Sequence, residues 1–371
     1  MARAPSLTLF LCGDVMTGRG IDQILPQPSN PRIHEPYVDD ARAYVQMAET
    51  AHGPVPRPVP FDYIWGDALA VLARTPPDAR IINLETSVTR SDEHWPGKGI
   101  HYRMHPDNVA CLTAARIDVC ALANNHVLDF GPAGLRETLD TLGQAGVATA
   151  GAGESLLEAR TPAVVPVPGA GRVVVFAAGH ESSGILPGWA ATGDRPGLDV
   201  LPDLSEATAD GLLERVRGAR RAGDVVVASI HWGGNWGYEV TPAQQRFARR
   251  LLDGGVDLVH GHSSHHPRPV EIHRGKLILY GCGDFLDDYE GIPGYEEFRD
   301  DLTLMYFATV EPETGRLAAL RLVPMQIRNL RLNRASAADA GWLARTLDRV
   351  SRPFGARVEA SGEGTLTVHA G

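Results

Sequence analysis

Cysteine is scarce in this sequence, and its few occurrences are scattered. Only Cys12, Cys111, Cys120 and Cys282 occur among 371 residues, and no two of them form a CxxC pair. A disulfide framework or a zinc knuckle would require closely spaced pairs. We therefore predict that the four cysteines are small core residues of a protein that works in a reducing compartment.

Basic residues are outnumbered, with 35 Lys and Arg against 45 Asp and Glu and a formal net charge of −10. Proteins held on nucleic acid by charge carry a basic excess, so we expect no nucleic-acid partner. A small-molecule or peptide-like anionic substrate is compatible with this balance, because a bound divalent cation reverses the charge inside a cleft.

Long apolar runs are also missing, since none approaches the roughly 18 residues that a membrane span requires. The short apolar stretch Leu7–Leu11 leads directly into Cys12-Gly13-Asp14. We interpret this stretch as the first core strand rather than as a cleavable signal. No membrane segment is expected, and the expected location is cytoplasmic.

Short apolar runs alternate with helical patterns along most of the chain, which indicates an α/β fold. Buried strands are predicted at Leu7–Leu11, Ala79–Ile82, Asp118–Leu122, Val173–Ala177, Val225–Ile230 and Val256–Val259. Helices are predicted at Phe61–Ala73, Pro132–Ala145, Leu204–Ala222 and Pro242–Asp253.

The remaining segments carry weaker patterns. Pro26–Pro60 is rich in proline and is expected to be an irregular excursion over the face that holds the site. Arg274-Gly275 predicts the turn of a β-hairpin. We expect one main domain over residues 1–330, and over 331–371 an extension packed on it, with a helix Ala337–Val350 capped by Ser336 and a last strand Gly364–Val368.

Five polar motifs follow predicted strands, where open α/β sheets place their sites. They are Gly13–Met16, Asn83–Glu85, Asn124–His126, His231–Gly233 and the histidine-rich segment Val259–Pro267. Each motif alone also fits a structural explanation, such as a turn, a solvated strand end or a helix N-cap. Their succession at five strand ends favours a common site.

The side chains in these motifs suit metal and proton-transfer chemistry. Asp14 and Glu85 offer carboxylates, and an asparagine carbonyl such as that of Asn125 is a neutral oxygen ligand. His126 is a candidate for proton transfer, and Asp129, three residues on, is placed to orient its imidazole. The alternative for this last motif is a turn that ends in a helix cap.

Four histidines fall within seven residues, at positions 260, 262, 265 and 266. Several imidazoles held together favour a metal that keeps them neutral, and the alternative is a histidine-rich loop without a ligand. Two carboxylates, one or two amide oxygens and at least three imidazoles suit a site of two divalent ions, in which a carboxylate bridges and a shared hydroxide attacks an ester or amide.

In this order the motifs resemble the calcineurin-like metallophosphoesterases and, more closely, the CapA family of poly-γ-glutamate capsule synthesis proteins. The match includes a further motif, Gly283-Asp284-Phe285, and covers about residues 7–290. The resemblance implies a four-layer α/β/β/α sandwich with the metals at the edge of the sheets.

Carried over motif by motif, the resemblance implies one or two divalent ions (Mn, Fe or Zn). The implied ligands are Asp14, Glu85, Asn125, His231, His262 and His265, with Glu85 in the bridging position. It also implies that His126 donates the proton to the leaving group. Candidate substrate contacts are Asn83, Asn124, Asp284, Trp232 and Arg103.

The sequence also departs from the family pattern. Met16 stands where phosphoesterases carry a metal-binding histidine, and Ser263-Ser264 replace His-Pro in the last loop. Arg103 lies among His94, His101 and His105 in a cluster that either meets an acidic substrate or is a solvated loop.

Two hypotheses follow for the function. The first is a metal-dependent hydrolase that acts on a phosphoester or an amide bond, glutamyl and peptide bonds included. The second is a non-catalytic partner in poly-γ-glutamate synthesis that keeps a vestigial metal site. The sequence makes no prediction about the oligomeric state.

Overall fold

The computed structural model describes residues 6–371, and its strands are built from the short aliphatic runs of the sequence. In chain order the strands are β1 Leu7–Val15, β2 Ala79–Leu84, β3 Ser87–Val88, β4 Arg103–Met104, β5 Val119–Ala121, β6 Ala148–Ala150, β7 Ala152–Gly153, β8 Ala163–Val167, β9 Gly171–His180, β10 Gly197–Leu198, β11 Val200–Leu201, β12 Asp224–His231, β13 Leu258–His262, β14 Val270–His273, β15 Lys276–Leu279, β16 Asp284–Leu286, β17 Leu302–Val310, β18 Leu317–Ile327, β19 Leu332–Arg334, β20 Ala356–Ser361 and β21 Thr365–Ala370.

The helices are shorter on average than the sequence pattern suggests. In chain order they are α1 Arg19–Ile24, α2 Arg42–His52, α3 Asp67–Arg74, α4 Ala110–Ala114, α5 Gly131–Gln144, α6 Leu156–Ala159, α7 Glu206–Ala219, α8 Pro242–Asp253 and α9 Ala337–Ser351. Within residues 6–371 no helix is both long enough and apolar enough to cross a membrane.

Two sheets form the centre of the molecule. The first has the order β20-β21-β18-β17-β1-β2-β5-β6, with β16 beside β1 and β19 beside β18. The second has the order β11-β9-β12-β13-β15-β14, with β8 beside β9. The central strands β1, β2 and β5 of the first sheet run parallel, as do β9, β12 and β13 of the second. Their carboxyl ends therefore gather the residues that follow each strand.

The alternation of side chains along each strand produces four layers. Leu9 and Ile81 of the first sheet share one core with Val175 of the second, so these faces pack against each other. The opposite face of the first sheet packs on α1–α5, and that of the second packs on α7 and α8. This is the predicted α/β/β/α sandwich of the calcineurin-like type.

The four cysteines are free and buried, as predicted. The predicted hairpin is also present, because β14 and β15 pair antiparallel across Arg274 and Gly275, both with positive φ. Helix α8 has the predicted bounds. Its N-terminus is a capping box in which Thr241 and Gln244 each accept a hydrogen bond from the other's backbone.

The prediction that Pro26–Pro60 is wholly irregular was wrong, because α2 lies within it. Its buried residues Tyr44, Val45 and Ala48 have helical spacing, a signal obscured by the surrounding prolines. The helix predicted from Phe61 begins instead at Asp67, after a 3-10 turn and Gly66 with φ of 44°.

The C-terminal segment joins both the sheet and the core. Strand β21 pairs with β18, and Leu343 and Leu347 of α9 enter the core between the sheets. Ser336 caps α9 as predicted, with its side chain accepting from the Asp339 amide. The boundary at residue 330 stays a prediction.

Candidate metal centre

The end of β1 places one carboxylate between two polar neighbours. The register sets Asp14 beside Asn83 of β2 and beside Asp284 of β16. A Cβ atom at Gly13 would lie 1.6 Å from the carbonyl oxygen of Gly283, so only glycine lets the two segments approach this closely. The close approach brings the carboxyl groups of Asp14 and Asp284 together.

The second sheet contributes a pair of histidines. His231 and His262 are register partners on β12 and β13, and their Nδ1 atoms are 2.8 Å apart. The Nε2 atom of His262 lies 2.9 Å from the hydroxyl oxygen of Ser229. Both imidazoles are buried.

Direct hydrogen bonds join the two sheets at this edge. His260 Nε2 donates to the carbonyl oxygen of Cys12 at 2.7 Å, and the Ser263 amide donates to Asp14 Oδ2 at 3.0 Å. The carboxylates of the first sheet and the imidazoles of the second therefore face one another.

Two groups of possible metal ligands share Asp14. One comprises Asp14, His231 and His262, and the other comprises Asp14, Glu85 and Asp284, with the ligand atoms of each group within 4.8 Å of one another. Asn125 joins them through its Oδ1 atom, which accepts from His231 Nε2 at 2.8 Å. His265 lies one step further out, with Nδ1 2.8 Å from Asp284 Oδ2.

Burial shapes the electrostatics of this cluster. It raises the pKa of Asp14 to about 8, with the nearby charge of Asp284 adding to the effect. It also raises the pKa of Glu85 well above its ordinary value, and it lowers the pKa of His231 and of His262. Crowded carboxylates beside neutral imidazoles are what a divalent cation stabilises, so the residues fit a divalent metal ion.

His126 and Asp129 form a hydrogen-bonded pair next to the cluster. His126 Nδ1 lies 2.7 Å from Asp129 Oδ2, which also accepts from the Tyr102 amide at 2.7 Å. His126 Nε2 lies 3.9 Å from Glu85 Oε1 and so points towards the carboxylates. Asp129 thus orients the imidazole as the sequence predicted, and the catalytic role of the pair stays a prediction.

Lys98 was missed by the sequence argument. Its ammonium group forms an ion pair with Asp129 and lies 3.0 Å from His126 Nδ1. It also donates to the Ile100 carbonyl oxygen at 3.0 Å. The only sequence signal was its position between Gly97 and Gly99, which marks a tight loop.

A cleft of about 400 Å³ opens over the cluster. Its lining includes Glu85, Asn125, His126 and His265 of the predicted site, together with Pro36, Tyr37, Lys98, Gly99, Ile100, Tyr102, Asn235, Ser263 and Tyr289. Pro36 and Tyr37 come from the segment predicted to cover the site.

The family model for the bacterial capsule synthesis protein PGA_cap matches residues 8–289. This chain belongs to the PGA_cap family. It is 50% identical over 370 residues to the probable polyglutamine synthesis accessory protein of Mycobacterium tuberculosis, covering 99% of this chain and 97% of that protein. It is 27% identical to the PGA biosynthesis protein CapA of Bacillus subtilis, covering 81% of this chain and 67% of that protein.

The capsule biosynthesis protein CapA of Bacillus anthracis is 24% identical, over 87% of this chain and 68% of that protein. The resemblance to CapA proteins is therefore confirmed. Among solved structures, a protein of Thermus thermophilus aligns with a TM-score of 0.36 at 9% identity, over 84% of this chain and 97% of that chain.

In this PGA_cap protein, two of the residues predicted to contact the substrate form hydrogen bonds to other residues of the site. Asn83 Nδ2 donates to Asp14 Oδ1 at 2.7 Å. Asn124 Oδ1 accepts from the amides of His126 and Val127, each at 3.0 Å. Both asparagines are fully buried, so their visible contribution is to hold Asp14 and His126 in place.

Two other predicted substrate contacts lie away from the PGA_cap cleft. Trp232 packs on Phe247 in the α8 layer, and its Nε1 donates to the Tyr280 carbonyl oxygen. Arg103 borders a neighbouring cavity and pairs with Asp92. The sulfur of Met16, at the position where phosphoesterases have a histidine, accepts from the Gly18 amide at 3.1 Å.

Proposed function

We propose that this chain is a metal-dependent hydrolase that cleaves a phosphoester or an amide bond, glutamyl amides included. The observation that carries the proposal is the pair of ligand groups that share Asp14 beneath the open cleft. A divalent ion held there would polarise the scissile bond and would make water nucleophilic near neutral pH.

The chain's own residues would divide the remaining work. Asp14, Glu85, Asn125, His231 and His262 would hold one or two ions, with His265 and Asp284 completing the set. His126 would transfer a proton at Nε2 on the cleft side, because its Nδ1 is held by Asp129. Lys98 would keep Asp129 charged and fixed in position.

The substrate class follows from the cleft and from the relatives. Lys98 is the only lysine or arginine among the residues that line the cleft, and bound cations would offset the carboxylates beneath it. An anionic substrate matches this balance. The relatives are named for polyglutamine synthesis and for PGA biosynthesis, and the resemblance to CapA proteins implies poly-γ-glutamate, so we propose a role in capsule or polyglutamate synthesis. The cytoplasmic location expected from the sequence stays a prediction.

A second candidate is a non-catalytic partner in the same synthesis. It is favoured by Met16 at the first motif and by the word accessory in the name of the Mycobacterium tuberculosis relative. In that case the site would keep a metal without turnover.

Elemental analysis of the purified, untagged protein tests the proposal. We would compare wild type with His231→Ala/His262→Ala and with His369→Ala, a control at an exposed residue of the last strand. About two metals per chain in wild type and in the control, but not in the double variant, would support two-metal hydrolysis, and about one would indicate a single Lewis acid.

Turnover separates the two candidates. The same preparations would be offered p-nitrophenyl phosphate, its diester and γ-glutamyl p-nitroanilide. Metal-dependent release of p-nitrophenol or p-nitroaniline, abolished in the double variant, supports the hydrolase. Bound metal without turnover favours the partner protein. If the protein binds no metal even after reconstitution with Mn, Fe or Zn, both candidate functions are rejected, because each of them includes a metal site.

A further inference from the structure

Two tyrosines from distant parts of the chain meet in the wall of the metal cleft. Tyr102 directly precedes β4, Tyr289 follows β16, and their hydroxyl oxygens are 2.6 Å apart. Both residues line the cleft. Tyr102 is buried, with 3% of its surface exposed, whereas Tyr289 is half-buried. The pair is therefore open to the cleft on the side of Tyr289.

The two rings contact residues that the proposed mechanism uses. Tyr102 stacks on His126, with ring centroids 3.8 Å apart and an angle of 19° between the planes. Tyr289 meets His265 edge to face, with ring centroids 5.4 Å apart. The tyrosine pair thus connects the proposed proton donor to the outermost of the candidate metal ligands.

The two hydroxyl groups have one proton more than their mutual hydrogen bond uses. One O–H donates to the other oxygen, and the second O–H has no acceptor among residues 6–371. Burial raises the pKa of both tyrosines well above the ordinary value, with the charge of Glu85 adding to the effect, so both hydroxyls stay protonated near neutral pH. One hydrogen-bond donor therefore remains for a ligand in the cleft.

A buried arginine fixes the pair from behind. The guanidinium carbon of Arg19 lies 4.8 Å from the centre of the Tyr102 ring and 5.5 Å from the centre of the Tyr289 ring. Arg19 is itself held by ion pairs with Glu35 and Asp288. Because these contacts are present before any ligand binds, the hydroxyls need no rearrangement to donate, which is the property of a preorganised donor.

Other donors of the lining are already used inside the protein. The ammonium group of Lys98 lies among Asp129, the Ile100 carbonyl oxygen and His126, and its side chain is only 12% exposed. Ser263 Oγ donates to the Gly233 carbonyl oxygen at 3.1 Å. An anion at the metal centre therefore meets the free O–H of the tyrosine pair without competition from these two groups.

We propose that the Tyr102–Tyr289 pair donates a hydrogen bond to an anionic oxygen of the ligand at the metal centre, with Tyr102 donating to Tyr289 and Tyr289 donating to the ligand. The direction follows from exposure, because Tyr289 is the partner open to the cleft. This inference rests on the proposed hydrolase function. Attack of water on a phosphoester or an amide builds negative charge on an oxygen, and a fixed donor stabilises that charge.

Binding of inorganic phosphate to Mn²⁺-loaded protein tests the pair, because phosphate offers oxygens beyond those that contact a metal. Fluoride is the second probe, since a single-atom ligand of the metal has no further oxygen for the pair. The variants are Tyr289→Phe, Tyr102→Phe and, as control, Tyr63→Phe, whose hydroxyl donates to the Asn329 carbonyl oxygen outside the cleft. Calorimetry measures affinity, and elemental analysis checks the metal content of each variant.

We expect Tyr289→Phe to weaken phosphate binding about tenfold, the usual loss of one hydrogen bond to a charged group, and to leave fluoride binding and metal content unchanged. Tyr102→Phe should weaken phosphate binding about threefold, because Tyr289 keeps its proton and loses only the neutral partner that orients it. Tyr63→Phe should bind both anions as wild type does.

Unchanged phosphate binding in Tyr289→Phe would overturn the proposal, and so would a failure of metal-loaded wild type to bind phosphate. Equal losses for phosphate and fluoride would also overturn it, since the tyrosines would then only shape the metal site. Phosphate binding that depends on Tyr289 in a protein without turnover would reject the hydrolase function and keep the donor. Turnover together with phosphate binding that is independent of Tyr289 would reject the donor alone.

Discussion

His231 and His262 face each other across two parallel strands with their Nδ1 atoms 2.8 Å apart, and each Nδ1 lies about 4 Å from Asp14 Oδ1. Two neutral imidazoles this close share one proton at most, so at least one Nδ1 carries a lone pair that can serve as a metal ligand. This arrangement supports metal binding and leads to the first prediction.

Divalent metal should stabilise the wild-type protein and should stabilise Asp14→Asn much less, because Asp14 belongs to both ligand groups. A hundredfold excess over Kd contributes about 2.7 kcal/mol, which raises Tm by about 3.5 °C in a chain of 371 residues. Differential scanning calorimetry with Mn²⁺ or Zn²⁺ measures the shift. Asp140→Asn, at an exposed site on α5, should behave as wild type. An equal shift in Asp14→Asn would remove that residue from the ligand set.

Lys98 and Asp129 should couple strongly in a double-mutant cycle. Lys98→Met leaves the buried carboxyl of Asp129 without its cation, and should cost about 3 kcal/mol. Burial raises the pKa of Asp129 to about 6 even with Lys98 beside it. Adding Asp129→Asn to Lys98→Met should therefore recover much of the loss in urea unfolding. Additive losses would show that the ion pair has no net coupling.

Alanine substitutions of His260 and His262 should have different effects, although the two residues are only two positions apart in the chain. His260 bonds to Cys12 and to Ser229, so it joins the sheets rather than facing Asp14. His260→Ala should cost about 2–4 kcal/mol of unfolding free energy and leave metal content per folded chain unchanged. His262→Ala should lose metal. Loss of metal from folded His260→Ala would contradict this assignment.

Asp300→Asn should change how stability depends on pH in metal-free protein. Burial, with Asp284 and Asp301 nearby, raises the pKa of Asp300 to about 6. A raised folded pKa means that the carboxyl stabilises the fold at low pH and loses this contribution as pH rises from about 4 through 6.

Asp300→Asn has no carboxyl group to ionise, so its stability does not fall over this pH range. It should be more stable than wild type above pH 6, by about 1 kcal/mol after allowance for the half-exposed position, and should converge with it near pH 4. Urea unfolding at several pH values in EDTA measures the difference. Asp140→Asn should give a curve parallel to wild type, and a parallel curve for Asp300→Asn would refute the shift.

Gly13→Ala should be severely destabilising, since its Cβ would overlap the Gly283 carbonyl oxygen at 1.6 Å. Displacing β1 costs about 1–3 kcal/mol or more and would move Asp14 away from Asp284. Gly218→Ala is the matched control, because its Cβ meets nothing within 4 Å and lies in α7. It should gain up to about 1 kcal/mol. Thermal unfolding compares the two.

Local patterns were sufficient for much of the fold. The bounds of α8 could be predicted because Thr241, Pro242 and Gln244 form a complete N-terminal signal within four residues. Helix α2 was missed because prolines on both sides hid three apolar residues at helical spacing. Hydrophobic periodicity is recognised over a window of consecutive residues, so a short or interrupted helix offers too few residues for the pattern to be detected.

By itself the sequence determined the α/β class, the strand ends that carry Asp14, Glu85, His126, His231 and His262, and the chemistry of those side chains. Only the tertiary structure decided which of them meet. The strand register places Asp284 beside Asp14. Packing of the two sheets lets His260 form a hydrogen bond between them, to the Cys12 carbonyl oxygen. A loop flanked by glycines places Lys98 in contact with Asp129. These outcomes depend on contacts between residues far apart in the chain, which no local pattern encodes.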